Sequence, residues 1–340
     1  MVKRVGHLKE GMVTPENIRK AYKRASAKRG HTRGVMNVRV DEIAKLETVR
    51  RMLDEGTYRT SEYRTFDIVE GGKVRHIAAL PFYPDRIVHW AVILATEDVF
   101  VRSFISQTYA AIPGRGTHQA LRDVQEAVRQ PGAIYCAKFD VSSYFASIDK
   151  TILLEKVARR IKDPAVLALY REIITGYGGP GIPIGNLTSQ YLANLYLSDI
   201  DHLFKERLGA RWYFRYMDDI IILGWSKAWL RRMKGILERE LTKLKLNLNP
   251  RWQIFPIQAR GVDFVGYRIW PDHILLRNRT KRRLRRKMRA ILDRIDEGAE
   301  PDGSMLSCIA SYHGILRWCD GYRLHRAYVD PCLDKMETRA

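Results

Sequence analysis

The sequence predicts an α+β fold, a small antiparallel sheet backed by helices, from three observations. Short apolar runs of strand length, such as "AIYCAKFD" and "WQIFPI", alternate with longer segments of helical periodicity. Glycine and proline punctuate that alternation, most densely in "GYGGPGIPIGN". The chain of 340 residues is 46% apolar, enough for a large core and for subdomains, with no internal repeat and no low-complexity linker.

The elements follow in order. A helix is expected after the cap-like Thr14-Pro15-Glu16, and another where Ile43, Leu46, Val49 and Leu53 recur at helical spacing before Gly56. "YRTFDIVE" and "KVRHIAALP" read as two strands joined by a Gly71-Gly72 turn. Ile87, Trp90, Ala91, Ile93 and Leu94 make the broad apolar face of a helix from about Pro84 to Phe104. Thr117 is expected to cap the next one. A strand ending at Asp140, two helical segments between Thr151 and Ile174, and a helix over 187–208 come next. Then follow a hairpin in "WYFRYMDDIIILG", a helix over 227–246, and strands in "WQIFPI" and "VDFVGYRIW". The remainder reads as a basic helix and a small helical bundle.

Charge points to the partner. Lys and Arg number 59 against 38 Asp and Glu, a formal net charge of +21, which suits a polyanion because neutralised phosphates release counterions. No apolar run is long enough to span a membrane, and "MVKRVGHLKEGMV" lacks the apolar core of a signal peptide. The expectation is therefore nucleic acid as partner, no membrane, and a cytoplasmic location. Cys136, Cys308, Cys319 and Cys332 form no CxxC pair and read as reduced thiols rather than a zinc site.

The acids carry the chemistry. Asp218 and Asp219 alone fit either a polar turn or half of a metal site. Their flanks, "WYFRY" and "IIIL", are apolar enough to be packed, and a buried carboxylate is costly without a partner. Asp140 ends another apolar strand; if the two strand ends adjoin, three carboxylates converge and divalent cations relieve their repulsion. Magnesium suits hard oxygen donors, and a two-metal site suits nucleotidyl transfer.

"FDVSSYF", "GIPIGNLTSQYLAN", "YMDD" and "FVGY", in this order over residues 138 to 267, resemble the polymerase motifs of reverse transcriptases, and "KVRHIAALPFYPDRIVHWAV" resembles their fingers motif. The resemblance implies a right-hand polymerase fold with fingers, an antiparallel palm sheet backed by helices, and a helical thumb. It divides the chain into an N-terminal helical extension (1–65), fingers (66–130), palm (131–275) and basic thumb (276–340). It implies Asp140, Asp218 and Asp219 as catalytic metal ligands, the Val141 carbonyl as a further ligand, and two Mg2+ ions with Mn2+ as substitute. Lys73 and Arg75 would grip the incoming dNTP, unless they are only a solvated hairpin face. Ser142, Ser143, Tyr144, Phe145, Ile184, Gly185 and Gln190 would line the dNTP site. Phe145 would exclude a 2′-hydroxyl, though by itself it reads as a core aromatic. Phe264, Val265, Gly266 and Tyr267 resemble the primer grip.

The form "IGNLTSQ" is similar to the reverse transcriptases of bacterial and phage diversity-generating retroelements, as are "YAAIPGRGTHQAL" and "GVDFVGYRIWPDHILLR". That subgroup implies cDNA synthesis from a template-repeat RNA with a DNA or RNA primer, errors at template adenines, and mutagenic retrohoming. It also implies a small basic ring-forming accessory variability protein, in a bacterial or phage-infected cell. Ile184 stands where most relatives have glutamine; an apolar side chain forfeits a hydrogen bond to a nucleotide, which lowers discrimination, or it is a neutral replacement. Ile112 stands where relatives often have arginine. Arg251 occupies about the place of a lysine suspected as general acid, and arginine is a poor proton donor.

In "TKRRLRRKMRAILDRI", Leu284, Met288, Ile291 and Ile295 form the expected buried stripe, with Lys281, Arg282, Arg285, Arg286 and Arg289 left for nucleic acid. The bland alternative is a solvated face. The rival functions are a retron, group II intron or phage-defence reverse transcriptase, and a non-catalytic nucleic-acid-binding scaffold.

Overall fold

The computed structural model describes residues 4–70 and 73–337, and the Gly71-Gly72 turn lies outside them. Two compact units interleave along the chain: Met1–Gly114, Asp140–Ala210 and Lys234–Pro250 form one; Arg115–Phe139, Arg211–Met233 and Arg251–Ala340 form the other.

In the first unit, β1 (Arg64–Glu70) and β2 (Lys73–Ala79) pair antiparallel, with Phe66 opposite Ile77 and Ile68 opposite Arg75. The core lies around the helices Ile87–Val101 and Leu187–His202, whose side chains are buried nearly all round, as their lack of polar faces requires. Tyr170 joins them, its ring edge-on to Phe100 at 5.7 Å and its hydroxyl 2.6 Å from that of Thr96. Thr14 caps helix Pro15–Ser26 as expected, accepting from Asn17 N–H at 3.2 Å. Helix Glu42–Asp54 buries Val49 and Leu53 but leaves Ile43 87% exposed, so the apolar stripe is shorter than its sequence pattern.

The second unit holds the principal sheet, ordered β4-β5-β3-β6, with β3 Tyr135–Asp140, β4 Tyr213–Tyr216, β5 Asp219–Gly224 and β6 Gln253–Pro256. β4 pairs antiparallel with β5, and β3 with β6. Ile134 N–H donates to Gly224 C=O at 3.2 Å, so the start of β3 meets the end of β5. These strands therefore run antiparallel, and the end of β3 lies at the same end of the sheet as the start of β5. Helix Thr117–Val128 buries Leu121, Val124 and Val128, but its N-cap is Gly116; Thr117 is its first helical residue and caps nothing. A second sheet contains β7 (Val262–Phe264), β8 (Tyr267–Ile269) and β9 (Ile274–Leu276), two strands more than the single one expected in "VDFVGYRIW". Helices Asn278–Asp296 and Gly303–Leu316 follow.

The several helices that end earlier than their sequence patterns do so at identifiable breaks. The run expected over 187–208 is helical to His202 and then widens into a π-turn over Leu203–Arg207. Helix Lys227–Lys243 stops before Lys245, whose φ is +56°. All four cysteines are free thiols, in keeping with the CxxC-free spacing.

Asp163 ties the N-terminal segment to the first unit. Its Oδ1 accepts from Ala165 and Val166 N–H at the start of helix Pro164–Thr175, and its Oδ2 accepts from Leu8 and Lys9 N–H at 2.8 and 2.9 Å. These bonds hold its carboxyl below the usual range although burial pushes the other way. Asp163→Ala is expected to lower stability by about 2–3 kcal/mol at neutral pH, since it orphans donors at two helix starts. The difference should shrink as pH falls through the Asp163 pKa. Urea unfolding at two pH values checks both points.

Candidate active site

The "MDD" stretch is a hairpin tip. Tyr216 pairs with Asp219, leaving Met217-Asp218 as a two-residue turn, and Met217 adopts a φ of +53°. A non-glycine residue in that region costs about 1–3 kcal/mol unless its surroundings hold it there. Arg215 supplies part of the hold: it is fully buried in β4, and its Nη1 donates to Met217 C=O at 3.0 Å.

Asp219 opens β5. Its Oδ2 lies 3.2 Å from Lys138 Nζ, with each side chain 27% exposed, and its Oδ1 is buried without a hydrogen-bond partner. Burial pushes its carboxyl up to about 6; Lys138 and Arg277 pull it down, and Asp218 pushes it further up. Lys138 also donates to Asp263 C=O at 2.6 Å and stands 3.5 Å from Asp263 Oδ1, which Arg277 pairs from the other side. Sequence reasoning missed Lys138, Asp263 and Arg277. The signal for the first was available, since Lys138 and Asp140 are two apart on a strand and share a face.

Asp140 ends β3. Asn249 Nδ2 donates to its Oδ2 at 2.8 Å, and Asn249 N–H donates to its carbonyl at 2.8 Å. Val141 is buried and bridges to Leu248, and Ser142 N–H donates to Asn247 C=O at 2.9 Å. Among the described residues, no three His, Cys, Asp or Glu side chains are gathered as a metal cage. The expected crowding of three acids is thus not complete: a lysine ammonium stands beside Asp219 where the repulsion argument asks for a cation. The donors still fit a hard divalent ion. They are all carboxylate oxygens, and the unpartnered Asp219 Oδ1 is a buried acceptor in want of a cation.

The other expected site residues separate into surface and core. Ser143, with a φ of +45°, precedes a short turn of helix in which Tyr144 is buried and donates to Ala193 C=O at 2.5 Å. The Tyr144 side chain is therefore packed in the core, leaving only its backbone to border a nucleotide. Phe145 is half-buried, edge-on to Tyr144 at 5.6 Å, and its carbonyl accepts from Ile182 N–H at 2.9 Å. The adjoining Gly181, φ +64°, approaches that carbonyl so closely that a Cβ would lie 2.1 Å from it. Ile184 is half-exposed, and its carbonyl accepts from Ala78 N–H of β2 at 3.2 Å. Gly185 and Gln190 are exposed and line a cavity of about 240 Å³ together with Arg24, Arg29 and Arg86. Arg75 is exposed on β2; Lys73 pairs with Glu70 through its backbone, and its side chain lies outside the described residues.

"FVGY" is a hairpin rather than a single strand. Phe264 and Tyr267 are buried in β7 and β8, and Val265 (φ +44°) and Gly266 (φ +95°) make the turn. Phe264 and Tyr267 are thus core supports, with the Tyr267 hydroxyl donating to Ile315 C=O at 3.1 Å. In helix Asn278–Asp296 the expected stripe of Leu284, Met288, Ile291 and Ile295 is buried. Arg282, Arg286 and Arg289 are exposed, whereas Lys281 and Arg285 are half-buried. Arg285 and Arg289 lie over the Tyr328 ring at 5.4 and 5.8 Å.

Asp219 gives a pH prediction. Its native pKa is raised above the unfolded value, so the fold favours its protonated form, and stability falls as pH rises through about 6. Asp219→Asn without divalent ions is expected to be more stable than the parent at pH 8, by on the order of 1–3 kcal/mol, with no gain at pH 4. Paired thermal melts with a chelator check this, and equal melting at pH 8 would contradict it.

Comparisons with known proteins find the following similarities. The family "Reverse transcriptase (RNA-dependent DNA polymerase)" matches residues 69–269. The protein YkfC of Escherichia coli K12 is 27% identical over 298 residues, covering 72% of this chain and 77% of its own. The group II intron-encoded protein LtrA of Lactococcus lactis is 25% identical over 203 residues, and the match covers 56% of this chain but only 34% of LtrA. Among solved structures, apo telomerase of Candida tropicalis is 14% identical, with a TM-score of 0.48 over 63% of this chain and 48% of that one.

Proposed function

The chain belongs to the reverse transcriptase (RNA-dependent DNA polymerase) family, and from that premise we propose its reaction, its site and its biological setting. The reaction is RNA-templated transfer of a deoxynucleotide to a primer 3′-hydroxyl. The observation that carries the site is the two-residue turn that presents Asp218 beside Asp219 at the start of β5, and Asp140, at the end of its own apolar strand, is the third acid of the reading. Asp140, Asp218 and Asp219 are the proposed ligands, with the Val141 carbonyl beside them. Two bound magnesium ions, or manganese in their place, would activate the 3′-hydroxyl and neutralise the leaving pyrophosphate.

The chain's own residues do the rest. Asn249 orients the Asp140 carboxylate, Arg215 holds the turn that presents Asp218, and Lys138 keeps Asp219 in place. Phe145 limits space at the sugar, and the Ile184-Gly185 segment, tied to β2, borders the base. Arg75 and Lys73 are the proposed contacts to the triphosphate, and the arginines of helix Asn278–Asp296 the proposed contacts to the duplex phosphates. Residues 66–130, 131–275 and 276–340 act as fingers, palm and thumb, with residues 1–65 as an extension.

The setting we infer is a diversity-generating retroelement, in which a template-repeat RNA is copied with errors at adenines. Ile184 and Gln190 within "IGNLTSQ" support it. An accessory ring-forming partner belongs to the same reading. The match to LtrA favours a second setting, a group II intron, although the match spans about a third of that protein.

Two measurements test these readings. Asp218→Asn is expected to reduce dNTP incorporation on an RNA template by at least about 10³-fold, because a neutral amide cannot hold the ion that activates the nucleophile. Equal incorporation by variant and parent would favour the scaffold reading. Ile184→Gln is expected to lower misincorporation opposite template adenine by several-fold, read by sequencing the cDNA. An unchanged adenine error rate removes Ile184 from the account of fidelity.

A further inference from the structure

The end of the principal sheet remote from Asp218 carries a second feature. β5 spans six residues from Asp219 to Gly224, so Trp225 lies about 20 Å from Asp219 along the strand. Trp225 is 59% exposed and stacks on Trp229, centroids 5.2 Å apart at 25°. Trp229 in turn packs against Gly224, where a Cβ would meet its ring at 2.9 Å. The inner indole is thereby fixed by the strand end, and the outer one presents itself to solvent.

Neighbouring strand starts extend this surface. Ile134, bonded to Gly224, is 47% exposed, and Lys227 Nζ sits 5.3 Å from the centroid of Tyr135. Trp212, whose carbonyl accepts from Leu223 N–H, lies over Gly132 and carries the Arg211 guanidinium at 5.1 Å. An exposed indole beside half-buried rings that carry cations over their faces offers what single-stranded polynucleotides use: bases stack and phosphates pair, with no duplex geometry required. Charge agrees. Residues 129–136, 211–213, 224–233 and 255–260, at and around this end of the sheet, hold six Lys or Arg and no Asp or Glu. A protein ligand would have to be strongly acidic, whereas a polynucleotide meets both the charge and the flat aromatic face.

We propose that this end of the sheet is a binding site for single-stranded RNA, separate from the template–primer site, with Trp225 as the stacking platform and Lys227 and Arg211 as phosphate contacts. The choice of RNA rests on the reverse transcriptase reading, since a template must extend beyond the few nucleotides being copied. Such a site would hold an unpaired template flank while the catalytic end works.

The test uses the full chain and three fluorescent probes in anisotropy titrations: an oligouridylate, an oligothymidylate, and a short blunt RNA–DNA primer–template. Trp225→Ala combined with Lys227→Ala is expected to weaken oligouridylate binding about tenfold, within what loss of one stacked base costs. Binding and extension of the short hybrid should be unchanged. Trp225→Phe should recover part of the affinity, which a merely structural role would not produce. Unchanged oligouridylate affinity, or an equal loss for the hybrid, overturns the proposal, and preference for oligothymidylate overturns the RNA assignment. Absence of extension by the parent chain would instead count against the polymerase reading, leaving the binding result to stand by itself.

Discussion

The pairing of β4 with β5 around Met217 and Asp218 is the constraint on which the candidate site depends, because it fixes two adjacent acids at a strand end the chain would otherwise avoid. A two-residue turn with Met217 at positive φ leaves Asp218 no freedom to retreat into solvent on a longer loop. Arg215 makes that turn tenable from beneath, as a fully buried guanidinium bonded to the turn's own carbonyl. The cost of burying so large a cation is reasonable only where its hydrogen bonds are satisfied, so the turn and the arginine stabilise one another.

A second dependence follows on β5. Asp219 starts the strand, and its carboxyl is pushed up to about 6 by burial, against the pull of Lys138. Lys138 reaches on to Asp263, which Arg277 also holds, and Arg277 directly precedes helix Asn278–Asp296. The acid at the sheet end, the β7–β8 hairpin and the residue that precedes the basic helix thus belong to one network of alternating charges. Within such a network each charge lowers the cost of burying its neighbours, and Asp219, whose carboxyl burial still pushes up, is the member whose charge is not fully compensated.

Much of this was legible in sequence, for reasons that differ by residue. Strand alternation placed Asp140 at a strand end, and the apolar flanks of "MDD" marked a packed hairpin. The stripe of Leu284, Met288, Ile291 and Ile295 was readable because helical spacing alone decides which side is buried. The burial of the Tyr144, Phe264 and Tyr267 side chains was not legible because aromatics serve cores and sites equally well, and only tertiary packing separates the two. Lys138, Asp263 and Arg277 escaped notice because each is ordinary by itself. Their meaning lies in contacts between segments up to 125 residues apart in the chain.

The central claim is that Asp140, Asp218 and Asp219 hold divalent cations together. The most direct measurement replaces magnesium with ferrous iron and maps hydroxyl-radical cleavage of the folded chain by mass spectrometry. The account predicts cuts clustered beside residue 140 and beside residues 217–219, suppressed by excess magnesium and absent in Asp218→Asn. Cuts confined to one of those segments, or to other parts of the chain, would contradict it.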